Sequence, residues 1–394
     1  MEFIKRKYEV FIRRASFNKE QMKRFYSMLF LVMMALMSFS QVNPKDTTIL
    51  QSGELDLITI SPKEPEVVYG SKELNVADFV FKGDTLYLLA YEAEERWKRQ
   101  EESKITLFNG CNLIKLDSNM NEVKRVPVPE ISKGLFEGYM NMIFVEGRYN
   151  YYMHEPSLQG EFYKIDRDTF NVFIAPLIDT IGDYICFTTF DPNYPAFEYK
   201  TYNQVDSTIK TVRYLANDLV LELFRSEYKY LSPRDRLDAY KLELSTGIEK
   251  EVIAAYMRGF QNSPYFEPVN APMFVVNDTL LILDHYHDKL LKMEVSGELL
   301  DSLTIKYHHM KGPEKWTGKV KQDSKSRKIY TITEKGGWNY IQEIVTKNGQ
   351  TVHSQRLHYK YVDQVKFHNG YVYYVYRPFE SSQKRFLYRE IVIP

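Results

Sequence analysis

The chain has 394 residues, with 52 Lys and Arg against 52 Asp and Glu. Zero formal charge excludes a general nucleic-acid or anionic-membrane binder, because both require a basic surface that displaces counterions. Aromatic side chains make up 15%, with 31 Tyr and 24 Phe, and only two cysteines are present, so strands are expected and a disulfide framework is excluded. Cys111 and Cys186 lie in the apolar runs CNLIKL and DYICFTTF. One bridge between them is open; two buried free thiols fit the runs better.

The first feature in chain order is an address. Met22-Lys23-Arg24 is a short basic start, and Met28 to Phe39 is an uncharged apolar run of signal-peptide length, too short for a stable span. Ser38-Phe39-Ser40 offers a cleavage site, with Gln41 as the mature start. No cysteine follows, so a lipoprotein anchor is not indicated. An uncleaved membrane anchor is the alternative for the same run. Met1 and Met22 both stay open as the start, Met22 because residues 1–21 lengthen the basic segment far beyond the usual. Residues 1–40 are therefore set apart as N-terminal extension and signal peptide. The mature chain, 41–394, is expected to be secreted or periplasmic, with no stable span after cleavage.

The mature part repeats one theme. An apolar strand meets a tip of the Gly-Asp, Gly-Arg, Asn-Asp or Asn-Gly type, then a Tyr- and Leu-rich strand, then two more strands around a polar turn. Gly and Asn supply the positive φ that tight hairpins need. The unit recurs roughly every 45–60 residues, the signature of a propeller whose sheets bury their faces on one another. Starts near Val76, Asn141, Asp183, Ala271, Trp316 and Tyr361 give six four-stranded antiparallel blades, an all-β fold. The sixth runs out of chain after three strands. Gly53–Ile60, "GELDLITI", is expected to close the ring as an N-terminal strand, leaving no open edge. An insertion in the third blade is expected over 191–235, where "DLVLELFRSEYKYL" reads equally as helix or strand. A smaller charged loop is expected at Glu92–Gly110.

The unit "LLILDHYHDKLLKMEVSGELL" (Leu280–Leu300) resembles one repeat of NHL-type six-bladed propellers. Asp284 takes the place of the Asp that ends the apolar run, His285-Tyr286-His287-Asp288 the polar tip, Lys289 the basic residue, Lys292 the Lys, and Gly297 the turn glycine. The chain as a whole also looks like the secreted bacterial six-bladed propellers, NHL-like or TolB-like. The resemblance implies ligand binding on the rim that carries second-to-third-strand turns and blade-to-blade links.

His285 and His287 between Asp284 and Asp288 suggest a metal site, but zinc needs three or four converging ligands. No H-x-x-H, H-E-x-x-H or C-x-x-C is present, so a polar hairpin tip is expected instead, with no metal and no cofactor. His308-His309 would fall on the same rim. Other rim candidates are His154, Trp97, Trp338 and Phe379, the aromatic ones able to stack on a sugar or a partner. Asp166–Asn171 lacks the Gly and distal Glu of a calcium loop and is read as a strand turn. No G-x-S-x-G elbow, P-loop or G-x-G-x-x-G appears, so no catalytic residue is assigned. The expected function is non-catalytic binding of a protein, peptide or glycan at the rim. The alternative is a hydrolase or lyase of the glycan or lactone/ester class, open to metal assistance, using the same rim.

Overall fold

The computed structural model describes residues 64–70, 73–96, 106–138, 142–155, 162–310, 312–377 and 385–393. Residues 1–40, expected to be the N-terminal extension and signal peptide, and Gly53–Ile60, Trp97 and Phe379 lie outside the described residues.

β1 (Glu66–Tyr69) comes first. After it come β2 (Asn75–Lys82), β3 (Thr85–Tyr91), a side hairpin of β4 (Ala93–Arg96) and β5 (Thr106–Asn109), β6 (Asn112–Leu116) and β7 (Glu122–Pro127). Strands β2-β3-β6-β7 form the first blade. The second is built from β8 (Ser132–Phe136), β9 (Ile143–Gly147), β10 (Asn150–His154) and β11 (Phe162–Asp166). The third contains β12 (Leu177–Ile181), β13 (Tyr184–Thr188), β14 (Ala196–Asn203) and β15 (Ile209–Ala216). The fourth contains β16 (Met273–Val276), β17 (Thr279–Asp284), β18 (Lys289–Met293) and β19 (Leu299–Thr304). The fifth contains β20 (Lys315–Gln322), β21 (Ile329–Lys335), β22 (Trp338–Ile344) and β23 (Thr351–Lys360). In the sixth, β24 (Asp363–His368), β25 (Tyr371–Tyr376) and β26 (Phe386–Ile391) take β1 as their outer strand. The fold is a closed six-bladed β-propeller.

Closure by an N-terminal strand is as expected, but the strand is Glu66–Tyr69. Its Glu66 makes a two-bond pair with Arg389, at 2.8 and 2.9 Å. Val68 joins a cluster with Val76 and Phe79 of the first blade and Tyr373 and Leu387 of the sixth. The other clusters likewise join neighbouring blades. Cys186, Phe197 and Tyr199 pack on Met273, Leu280 and Ile282, and Leu281 and Leu283 pack on Val320 and Ile329. The core is shared between sheets, as the repeat requires. Both cysteines are free and buried, and burial pushes their thiols up, to about 11 for Cys111 and about 12 for Cys186.

The hairpin tips obey the turn chemistry. Asn277 and Asp278 have φ of 47° and 59°, and Asn369 and Gly370 have 51° and 77°, the paired positive φ of a type I′ turn.

Four expectations move. Blade two begins at Ser132 and blade three at Leu177; Asn141 and Asp183 precede their second strands. The sequence SKGLF lacks the apolar alternation of a strand, yet it pairs with β9, and its Leu135 N–H donates to Asp78 Oδ2 at 2.9 Å. The insertion is displaced, since β14 and β15 occupy 196–216. Beyond β15 the chain is helical, with α2 (Asp218–Ser226), α3 (Pro233–Thr246) and α4 (Lys250–Arg258). Asn217 caps α2 through Val220 N–H, and Val220, Leu221 and Phe224 form its buried face, with Phe224 edge-on to Tyr256 and Phe260. The Glu92–Gly110 segment carries β4 and β5, and β5 pairs with β8 through Phe108 and Ser132, so the second sheet has six strands. Asp166 caps a helix, α1 (Arg167–Phe173), by accepting from Thr169 N–H, so the segment is no strand turn.

Candidate functional site

Strand direction alternates within a blade, so second-to-third turns and blade-to-blade links lie at one end, and first-to-second turns at the other. Two groups of polar side chains result.

The first is the rim of blade four. β17 ends at Asp284 and β18 begins at Lys289, so His285–Asp288 is the hairpin tip. His285 turns inward. Its Nδ1 is 2.9 Å from the Asn270 carbonyl and its Nε2 2.6 Å from the Tyr307 hydroxyl. A carbonyl only accepts, so Nδ1 carries the proton and Nε2 accepts from Tyr307. Burial lowers the pKa of His285 to about 4, and the ring is neutral at pH 7. His287 Nδ1 is 2.7 Å from Oδ2 of the buried Asp284, and its Nε2 is 3.8 Å from Asp218 of α2. The two tip histidines are thus committed to different partners and do not converge.

Convergence occurs one residue further on. Nε2 of His308 and Nε2 of His309 lie 2.9 and 2.7 Å from the same oxygen, Asp288 Oδ1. Asp288 stands at φ 56°, a left-handed conformation that Asp tolerates, and its carbonyl accepts from Ile305 N–H at 2.9 Å. That bond ties the tip to the link after β19. His308 is buried against His285 and Trp316, with ring centroids 5.0 and 5.5 Å away. The shared rim of the tip and His308-His309 is as expected; the convergence on Asp288 and the packing by Trp316 are visible only in the fold.

The remaining candidates are scattered. His154 ends β10, buried, and leads to the third-to-fourth connection, at the opposite end of its blade from the tips. Its expected rim position shifts because the blade begins one strand earlier. Trp338 comes after the Gly336-Gly337 turn as expected, but the Arg356 guanidinium lies 4.3 Å from its ring centroid and Lys360 Nζ 5.3 Å. Tyr151 is stacked on Phe170 at 3.6 Å.

The second group fills the channel mouth at the first-to-second turns. A cavity of about 480 Å³ opens there, lined from all six blades, with Phe81, Ile178, Phe274, Val320 and Phe367 among its apolar walls. Charged groups cross it. Lys321 of blade five meets Glu137, just past β8 in blade two, at 2.6 Å. Arg327 meets Asp179 of blade three at 3.1 Å. Lys366 of blade six is buried, 2.9 Å from Asp78 and 3.5 Å from Glu137. The crowded channel mouth partly desolvates Glu137 and opposes its ionisation, but Lys366 and Lys321 overcome this and hold the carboxyl at about 2. Lys82 Nζ donates to the Gly138 carbonyl at 2.6 Å. Burial lowers the pKa of Lys82 to about 8, with Glu137 opposing and Lys366 adding to the fall. Nearby, Ser324 Oγ is 2.7 Å from His368 Nδ1, and His368 stacks on Phe81 at 4.0 Å. The sequence signal for this group is a Lys in the second half of a first strand, as Lys82, Lys321 and Lys366 are; reading it requires knowing which strands face the channel.

No family model matches the sequence, and no curated protein matches it. Among solved structures, the chain is similar to a member of the DUF4221 family from Bacteroides vulgatus, at 8% identity over 84% of this chain and 96% of that one, with a TM-score of 0.42. It is also similar to the calcium-binding protein regucalcin from Agrobacterium tumefaciens (9%, 86% and 98%, TM-score 0.38). A third is virginiamycin B lyase from Staphylococcus aureus (10%, 82% and 96%, TM-score 0.33). At these identities the likeness is one of fold.

Proposed function

We propose that this propeller is a non-catalytic binding protein that takes a small organic anion in the channel mouth. The observation that carries this reading is the cavity itself. Its volume suits a small ligand, and its lining sets Lys82, Lys321, Arg327 and Lys366 against Glu137 and Asp179, around apolar walls. A carboxylate or phosphate among these four cations would be held by charge-assisted hydrogen bonds, while the Phe and Val side chains would cover an apolar body.

The test is calorimetric titration and thermal shift with a panel of organic acids and phosphates, on wild type and Lys82→Met. Binding of at least one anion, weakened about tenfold or more in the variant and falling as pH rises through 8, is expected. Binding unaffected by the substitution, or a panel without binders, would overturn the reading.

The expected location supports an extracytoplasmic ligand: the apolar run Met28–Phe39 and the small residues after it suit export and cleavage. Terminal sequencing of exported protein should find Gln41 first; an intact N-terminus in the cytosol would refute export.

The second reading is a hydrolase, and the Ser324–His368 pair favours it. Asp84 lies 3.8 Å from His368 Nε2, beyond hydrogen-bond reach, and is paired with Lys325 at 2.6 Å. Ester or lactone hydrolysis abolished by both Ser324→Ala and His368→Gln would replace the binding reading.

A further inference from the structure

The channel mouth leaves the rim of blade four without a role. We propose that Asp288, His308 and His309 form a site for a divalent transition metal of the zinc class. The observation is the convergence of two imidazole nitrogens on one carboxylate oxygen, with all three ligand atoms within 4.8 Å of one another. Two nitrogens and one oxygen are the donor set that zinc and its late first-row neighbours take, and three protein ligands leave a fourth position open for solvent or an exogenous ligand.

The supports are built in. His308 is fixed between His285, Tyr307 and Trp316, at centroid separations of 5.0, 5.6 and 5.5 Å. On its far side the buried His308 Nδ1 faces the backbone of His285, short of a full hydrogen bond. The Ile305–Asp288 backbone bond fixes the tip relative to the link. Tetrahedral zinc with bonds of about 2.0–2.1 Å sets its ligands about 3.3 Å apart. The present contacts of 2.7 and 2.9 Å must therefore open by a few tenths of an ångström. His309 supplies that freedom, because its side chain is 57% exposed. His285 and His287 take no part: the ring nitrogens of His285 are held by Asn270 and Tyr307, and His287 is held by Asp284.

The experiment uses the purified chain stripped with chelator and titrated with zinc by calorimetry. Cobalt substitution then reports the coordination geometry through its visible absorption. One ion per chain is expected. Affinity should fall about 100-fold or more in His309→Ala and Asp288→Asn, and stay unchanged in His287→Ala. His309→Ala is the fold-safe variant, since the side chain is exposed, and its melting temperature without metal should equal that of wild type. Absence of stoichiometric binding, or binding that survives His309→Ala or disappears in His287→Ala, would overturn the proposal.

Discussion

Lys321 and Glu137 stand in blades on opposite sides of the ring, and their side chains meet at 2.6 Å across the channel mouth. The same carboxylate faces Lys366 at 3.5 Å, which in turn binds Asp78 at 2.9 Å. Blades one, two, five and six are thereby braced from inside, at the end of the channel where the cavity opens. The ring is closed twice: along the outer edge by β1, and across the axis by these pairs.

The brace titrates in acid. The Glu137 carboxyl is held at about 2, whereas an unfolded glutamate titrates at about 4.3. The unfolded chain therefore takes up the proton first, and stability falls as pH drops from about 4.3 towards 2. Glu137→Gln should lower the melting temperature at pH 6 and lose that difference by about pH 2. Parallel curves for wild type and variant across this window would show that the pair contributes nothing.

Asp323 joins blades five and six at the same end. It is 1% exposed, and its two oxygens accept from the backbone N–H groups of Lys325, Ser326, Asn369 and Gly370 at 2.8–3.0 Å. Burial opposes its charge, but these donors hold the carboxyl below the usual aspartate range. Asp323→Ala leaves buried donors unpaired and should cost about 3 kcal/mol in chemical denaturation. The charge-dependent part of that cost should shrink as pH falls from the ordinary aspartate range through the depressed value of the folded state. A cost under about 0.5 kcal/mol would mean that water replaces the carboxylate.

Closure by β1 rests on its pairing with β26, the Glu66–Arg389 pair and the burial of Val68. Deleting Glu66–Tyr69 exposes the edge of β26 and the cluster of Val76, Phe79 and Leu387. A drop of about 10 °C or more in melting temperature is expected, with a rise in association through the open edge. A truncated chain that melts like the intact one would refute closure as a source of stability.

What was legible in the sequence is what the backbone demands locally. Asn277-Asp278 and Asn369-Gly370 announce their hairpins because few residues accept positive φ. The three-stranded end of the chain announced a missing outer strand. Illegible were features set by distant partners. Ser132–Phe136 pairs with β9 and sends its Leu135 N–H to Asp78 of another blade, and the channel pairs join residues as far apart as Asp78 and Lys366. The helical insertion was ambiguous because its Val, Leu and Phe also suit strands; the cap at Asn217 and the aromatic cluster around Phe224 decide for helix. The H-x-H was visible, but the opposite commitments of its two rings depend on Asn270, Tyr307 and Asp284.

Those commitments make a last prediction about His285 and His287, two residues apart at one hairpin tip. His285 is 7% exposed, and its ring satisfies the Asn270 carbonyl and the Tyr307 hydroxyl while packing 4.5 Å from the Trp316 centroid. His285→Ala takes the ring acceptor from the Tyr307 hydroxyl, leaves the Asn270 carbonyl only the 3.3 Å bond from the backbone N–H of residue 285, and opens a void beside Trp316, at a cost of about 2–4 kcal/mol. His287 has a side chain 45% exposed. Its loss leaves the backbone N–H of residue 287 still within 3.2 Å of Asp284 Oδ1, so His287→Ala should cost about 1 kcal/mol or less. Urea denaturation of the two variants side by side measures the difference. Equal costs would mean that the tip treats both histidines as surface residues, and that the inward turn of His285 does not hold in solution.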